Sequence, residues 1–128
     1  MQGKILVAVL AAAAVISLSA CEPKSGSAKV TYAKDVKPIL DKYCGECHMP
    51  GGPGAEASGF KVDTYANVMK GTKYGPVVIP GSAESSTLYR LVAGKVDPSI
   101  RMPHGKEPLK PEEIETIRRW VEQGASEY

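Results

Sequence analysis

Cys44-Gly45-Glu46-Cys47-His48 is the stretch of this 128-residue sequence from which the fold can be inferred. Two thiols three positions apart on one helical turn project to the same side of the helix. The imidazole of His48 follows directly and offers a nitrogen ligand for a metal. A helix with this pattern can hold a flat, metal-containing group against one of its surfaces.

The C-x-x-C-H spacing is the attachment motif of c-type haem, in which Cys44 and Cys47 bond the vinyl groups and His48 binds the iron. Three other interpretations compete. A Cys44–Cys47 disulfide has no βαβ pattern around it and leaves His48 unexplained. A zinc site can draw on both cysteines, His48 and His104, but adjacent Cys47 and His48 are awkward partners on one tetrahedral ion. A chance occurrence of the spacing is the third. We therefore favour one covalently attached haem c.

The first twenty residues have the pattern of an export signal. A short, positively charged start precedes an unbroken apolar run over residues 5–16, which is too short to span a bilayer comfortably. The segment ends Leu18-Ser19-Ala20-Cys21, which resembles the bacterial lipoprotein signal. We predict a lipoprotein signal peptide over residues 1–20 and lipidation of Cys21, with an ordinary signal peptide as the alternative.

A polar stretch follows the predicted lipidation site. Residues 21–29 contain Pro, Gly and Ser and are predicted to be a lipid-anchored flexible linker. The domain that carries the C-x-x-C-H motif then covers residues 30–128. Because covalent haem attachment belongs outside the cytoplasm, we expect the periplasmic side of the cell envelope. The choice between inner and outer membrane stays open.

Charge and cysteine count exclude two classes of protein. A net charge of +2 gives no large basic field, which argues against nucleic-acid binding. Three cysteines exclude a simple disulfide framework, whereas one lipid and one haem use all three. Apolar residues make up 43% of the sequence, and the predicted signal peptide over residues 1–20 is especially rich in them. The remaining chain is therefore poor in residues that could form a core. A buried porphyrin would supply the missing apolar mass.

Two helices are predicted to frame the domain. The first has Thr31 as a plausible N-cap, a first turn and a kink, and then a main helix that opens at Pro38 and has His48 on its final turn. The last begins at Pro111, buries a face of Ile114, Ile117, Trp120 and Val121, and ends at Gly124.

The middle of the chain is predicted to hold short helices and loops. Residues 49–59 are rich in Gly and Pro and are predicted to lack regular structure. Asp63 is predicted to cap a helix that stops at Gly71, and Ser85-Ser86-Thr87 to cap another that ends at Gly94. The apolar segment 74–81 is predicted to be a loop packed on the haem edge.

Iron held by His48 has one further axial position. Met102 is the leading candidate, because it lies in a loop stiffened by Pro103, and a loop can carry a thioether across the haem face. Met49 is tethered beside His48, and Met69 lies on the inward stripe of a helix. Thioether ligation raises the reduction potential. His104 is the rival ligand.

The sequence resembles the monohaem class I cytochromes c, and most closely the small planctomycete-type cytochrome c domain, over about residues 31–125. The motifs that carry this resemblance are Val36-Lys37-Pro38-Ile39-Leu40, Cys44 to His48, residues 75–81, Ser86-Thr87-Leu88-Tyr89-Arg90, Arg101-Met102-Pro103 and residues 117–125. It implies an all-α class I cytochrome c fold, with helices and Gly/Pro-rich loops wrapped around one covalent haem and His/Met ligation. It also implies that the first and last helices cross, with Tyr43 or Val36 against Trp120. His104 departs from the family pattern, which usually has a second Pro or another small residue there.

The function expected from these features is single-electron transfer. A haem with both axial positions filled passes electrons, and no triad, paired carboxylates or phosphate-binding loop argues for catalysis. Electron donor and acceptor proteins are the expected partners, together with the membrane through the lipid anchor. The alternatives are a haem enzyme or gas sensor with an open distal site, and a haem-bearing assembly subunit of a larger redox complex.

Overall fold

Five α-helices form the described domain, and Pro or Gly stands at one or both ends of several of them. The computed structural model describes residues 28–128; the predicted signal peptide, Cys21 and most of the predicted linker lie outside the described residues. The described domain is all-α, as predicted, and its only β-type pairing is an isolated bridge between Thr72 and Gly75. None of its helices is long and apolar enough to cross a membrane. The helices are α1 (Lys37–His48), α2 (Pro53–Ser58), α3 (Tyr65–Lys70), α4 (Thr87–Val92) and α5 (Pro111–Glu122).

The separate first turn predicted before the first long helix is present. A π-helical turn over Tyr32–Val36 leads directly into α1, in which Pro38 is the second residue and His48 the last. Pro38 is tolerated there because the first helical N–H groups have no intrahelical partner. Thr31 occupies the N-cap position, but its hydroxyl makes no cap bond. Its backbone N–H instead donates to the Asp35 carboxylate at 2.8 Å.

Helix α2 lies within residues 49–59, where we predict no regular structure, so that prediction is wrong. Pro and Gly do not prevent a helix when they stand at its ends. Pro53 is the first residue of α2, where its missing N–H costs nothing, and Gly59 ends the helix at a φ of 78° in the left-handed region. Ala55 between them is buried, so the helix also has a packed face.

The helix predicted to start at Asp63 begins one residue later than expected. Thr64 is the N-cap of α3, and its hydroxyl accepts the backbone N–H of Asn67 at 3.2 Å. The Asp63 carboxylate accepts the Asn67 side-chain amide instead, at 2.8 Å. The predicted end is confirmed, because Gly71 follows the last residue of α3.

The core forms where α5 meets the start of the domain. Of the predicted apolar face, Ile117, Trp120 and Val121 are fully buried, and Ile114 is partly buried against the core. The Trp120 ring lies 6.0 Å from that of Tyr32, centroid to centroid, and its Nε1–H donates to the Ser126 carbonyl at 2.9 Å. The aromatic partner of Trp120 is thus Tyr32, which the resemblance did not indicate.

A second junction joins α1 to α5 at Glu113. The Tyr43 hydroxyl donates to Glu113 Oε2 at 2.6 Å, and Lys42 Nζ lies 3.0 Å from Glu113 Oε1. The backbone N–H of Lys110 also donates to this carboxylate, at 2.9 Å, and caps the start of α5. Partial burial acts to raise the pKa of Glu113, but these donors outweigh it and lower the pKa below its ordinary value. The carboxylate therefore stays charged and fixes α5 beside the helix that carries the C-x-x-C-H motif.

Candidate functional site

A cavity of about 490 Å³ lies between α1, α2, α4 and the segment after the 3₁₀ turn at Pro98–Ile100. Cys44, Cys47 and His48 line it from α1, and Met102 lines it from the loop. Most other lining side chains are apolar, among them Leu88 and Leu91 of α4. A cavity of this size and character lies within the usual range for cofactor sites.

The cysteines of the motif are free thiols, and both are half-buried at the cavity wall. Burial raises the pKa of the Cys44 thiol to about 11; nearby Lys106 opposes this increase and Cys47 adds to it. A thiol with such a pKa is protonated near neutral pH, which is unlike the low-pKa cysteines of redox-active C-x-x-C sites. The structure thus places two unpaired thiols beside one apolar space.

The imidazole of His48 is held from two sides. Its Nδ1 lies 3.0 Å from the Phe60 carbonyl oxygen, and because a carbonyl only accepts, Nδ1 carries the proton. Nε2 then keeps its lone pair and is the nitrogen free to bind a metal. On the other side, α2 comes so close that a Cβ on Gly54 would lie 2.8 Å from Nε2. Neither Phe60 nor Gly54 is indicated by the motif.

Met102 is the one methionine among the described residues that lines the cavity. Its backbone N–H donates to the Leu91 carbonyl at the end of α4, at 3.3 Å. Met69 packs against the core, as predicted from its helical stripe. His104, the rival ligand, also lines the cavity, so both candidates for the second axial position face the same space.

The predicted loop 74–81 borders the site near its middle, at Val77. Val77 lines the cavity, and its carbonyl accepts the backbone N–H of Leu88 at 2.9 Å, which ties the loop to α4. Tyr74, the first residue of the loop, is 86% exposed. The loop therefore borders the cavity through Val77 and not along its whole length.

The donor set fits a covalently bound haem. Two thiols one helical turn apart, an imidazole with a fixed tautomer and a thioether all border one apolar cavity. Among residues 28–128, no three His, Cys, Asp or Glu side chains are grouped so as to hold a bare metal ion, which the zinc alternative would need. The residues present match a porphyrin with axial ligands better than a four-coordinate ion.

Comparison with known proteins agrees with this chemistry. A family model described as Planctomycete cytochrome C matches residues 44–104, from the first cysteine of the motif to His104. No curated protein and no solved structure matches the chain. This similarity to a cytochrome c family suggests haem c as the cofactor and haem-based electron transfer. Residues 44–104 of this chain are therefore similar to the planctomycete cytochrome C family.

Proposed function

We propose that this chain is a single-electron carrier, a monohaem c-type cytochrome tethered to a membrane in a respiratory or other periplasmic electron-transfer chain. The observation that carries the proposal is that Cys44, Cys47, His48 and Met102 border the same cavity, in a region that matches a cytochrome C family. Six-coordinate haem suits electron transfer because no open position is left for a substrate.

Each of these residues has a distinct role in the proposal. Cys44 and Cys47 would hold the haem in the domain through thioether bonds, and His48 Nε2 would bind the iron. The bond from His48 Nδ1 to the Phe60 carbonyl orients the imidazole and raises its basicity. Met102 would supply the second protein ligand to the iron and so keep exogenous molecules from binding there. When bound, the haem supplies a one-electron Fe(III)/Fe(II) couple.

The proposed Met102 ligation predicts a specific optical change. The ferric holoprotein should show the weak red absorption band of a thioether–iron bond, and Met102→Ala should abolish it. The reduction potential of the variant should fall, because the thioether favours the ferrous form. Absorption spectra and a redox titration of the two proteins measure both effects.

His104→Ala is the matched control, because His104 lines the same cavity two positions further along the chain. It should keep the red band. A band that is absent from the parent protein, or that survives Met102→Ala, would contradict methionine ligation. Loss of the band in His104→Ala alone would assign the ligand to His104. Carbon monoxide binding by the ferrous protein without displacement of a protein ligand would favour the haem-enzyme or gas-sensor alternative.

The proposal also includes a lipid anchor at Cys21. It is supported by the order of the apolar run, the small residues and the cysteine at the start of the chain. Two or more acyl chains on one residue give stable membrane attachment, whereas one chain gives only marginal binding. Anchoring of this kind would hold the domain on the periplasmic side of a membrane, within reach of donor and acceptor proteins.

Replacing Cys21 by Ser should release the protein from the membrane. Ser lacks the thiol that carries the lipid thioether, so the variant should move from the membrane fraction to the soluble fraction. Fractionation of cells expressing the full chain, followed by mass measurement of the mature N-terminus, tests this. Ser27→Ala, in the same linker, should stay with the membrane. A Cys21→Ser protein that fractionates like the parent would contradict the anchor.

A further inference from the structure

The segment that follows Met102 has few attachments. Within the described part of the chain, residues 103–109 make no backbone–backbone hydrogen bond. Their one hydrogen-bonded or ionic contact is between the Lys106 ammonium and the Glu46 carboxylate. Leu109, at the end of the segment, is buried and anchors the chain shortly before α5 begins. Between Met102 and buried Leu109, the Lys106–Glu46 ion pair is therefore the one polar contact that holds the segment in place.

One residue of that ion pair, Glu46, belongs to the C-x-x-C-H motif. Glu46 stands between Cys44 and Cys47 on α1, sixty residues before Lys106 in the chain. Lys106 also lines the cavity, as do both cysteines. The contact thus joins the two parts of the chain that would hold the haem, at the edge where the thioethers would form.

On its N-terminal side, Met102 is fixed in another way. Its N–H donates to the Leu91 carbonyl, and the Arg101 guanidinium packs so closely on Gly94 that a Cβ there would lie 3.1 Å from Cζ. Both contacts attach the chain to the end of α4. Met102 therefore sits between a backbone attachment on one side and the Lys106–Glu46 ion pair on the other.

We propose that Lys106 and Glu46 are positioning residues for Met102, and that their ion pair is a latch holding the segment 102–106 against α1. The inference rests on the proposed function, because it assigns the latch the task of keeping the Met102 thioether at the iron. An open latch lets the segment move away from the cavity, which frees the distal position for an exogenous ligand. Salt screens exposed ion pairs, so the latch is weaker at high ionic strength.

Imidazole binding to the ferric holoprotein tests the latch. Imidazole must displace Met102, so its association constant reports how readily the segment opens, and at pH 8 imidazole is mostly uncharged. Lys106→Glu places two carboxylates against each other and should raise the constant about twofold to fivefold, as expected for an exposed ion pair. The double variant Glu46→Lys with Lys106→Glu restores the opposite charges and should return the constant to near the parent value. The increase caused by Lys106→Glu should shrink in high salt.

Lys95→Glu is the matched control, because Lys95 forms a similarly exposed ion pair with Glu84 and neither residue lines the cavity. It makes the same charge change and should leave the imidazole constant unaltered. An equal increase in Lys95→Glu and Lys106→Glu, or a double variant that stays as open as Lys106→Glu, would overturn the latch alone. A parent protein without the red band, with an imidazole constant unaffected by Met102→Ala, would overturn methionine ligation and the latch with it.

Discussion

Replacing Trp120 by Ala is expected to lower the free energy of unfolding by about 3–5 kcal/mol. Trp120 is fully buried, its ring meets that of Tyr32, and its Nε1–H satisfies the Ser126 carbonyl. The substitution removes all three contributions and leaves a cavity where α5 packs on the start of the domain. For a domain of about 100 residues, this loss corresponds to a melting temperature lower by at least about 12 °C.

Two further variants separate the causes of this loss. Trp120→Phe keeps a ring in the core but loses the donor to Ser126, so we expect a smaller cost of about 1–3 kcal/mol. Thr116→Ala, at a partly exposed position of the same helix that is not part of the buried core, should stay within about 0.5 kcal/mol of the parent. Thermal unfolding followed by circular dichroism ranks the stabilities of the three variants and the parent protein. A Trp120→Ala protein as stable as Thr116→Ala would show that the α5 contact does not hold the domain together.

The framing helices are the part of the fold that the sequence predicts best. Their apolar residues recur over three turns, so Leu40 of α1 and Ile117 of α5 are both placed in the core by spacing alone. The same reasoning places His48 at the end of α1, which the structure confirms. The partner of Trp120 is not predictable in this way, because Tyr32 lies in a π-helical turn before the periodic region.

Short elements are predicted less well, because so few residues supply their local signals. Residues 49–59 contain so much Gly and Pro that their composition predicts a loop. Pro53 and Gly59 are nevertheless ordinary start and stop signals of a helix, and α2 forms between them. For α3, the choice between Asp63 and Thr64 as N-cap depends on backbone angles that the residue types do not determine.

The residues of the candidate site are likewise predicted from local sequence patterns, whereas the contacts around them depend on the tertiary structure. Cys44, Cys47 and His48 follow from one local motif, and Met102 follows from its place in a loop and from the elimination of other methionines. The contact between Lys106 and Glu46 joins residues sixty positions apart, so it arises only from the tertiary arrangement. The close approach of Gly54 to His48 depends on the short helix α2, which is not predicted from the sequence.

Gly54→Ala is expected to disturb the proximal side of the site, although it favours the helix in which it lies. Ala has a higher helix propensity than Gly by up to about 1 kcal/mol, and Gly54 does not have the positive φ that would strain a side chain. A methyl group at this position, however, would lie 2.8 Å from His48 Nε2 and 3.0 Å from the Cys47 carbonyl oxygen. The backbone oxygen has little room to move, and the imidazole is held by Phe60. Overpacking of this kind costs about 1–3 kcal/mol, so the net effect is destabilising.

The same clash acts on the atom that would bind iron. Displacing Nε2 by a few tenths of an ångström weakens the proximal bond, so the holoprotein should show a partly high-spin spectrum and a lower melting temperature. Gly45→Ala is the matched control, because its Cβ would meet only Met49 Cε, at an ordinary 3.7 Å, and it lies inside the motif itself. If Gly54→Ala kept a low-spin spectrum and melted no lower than Gly45→Ala, the imidazole would not be confined by α2. Whether α2 confines the imidazole bears on which iron ligand can be replaced. If His48 cannot move, an exogenous ligand can replace only the ligand on the opposite, distal side.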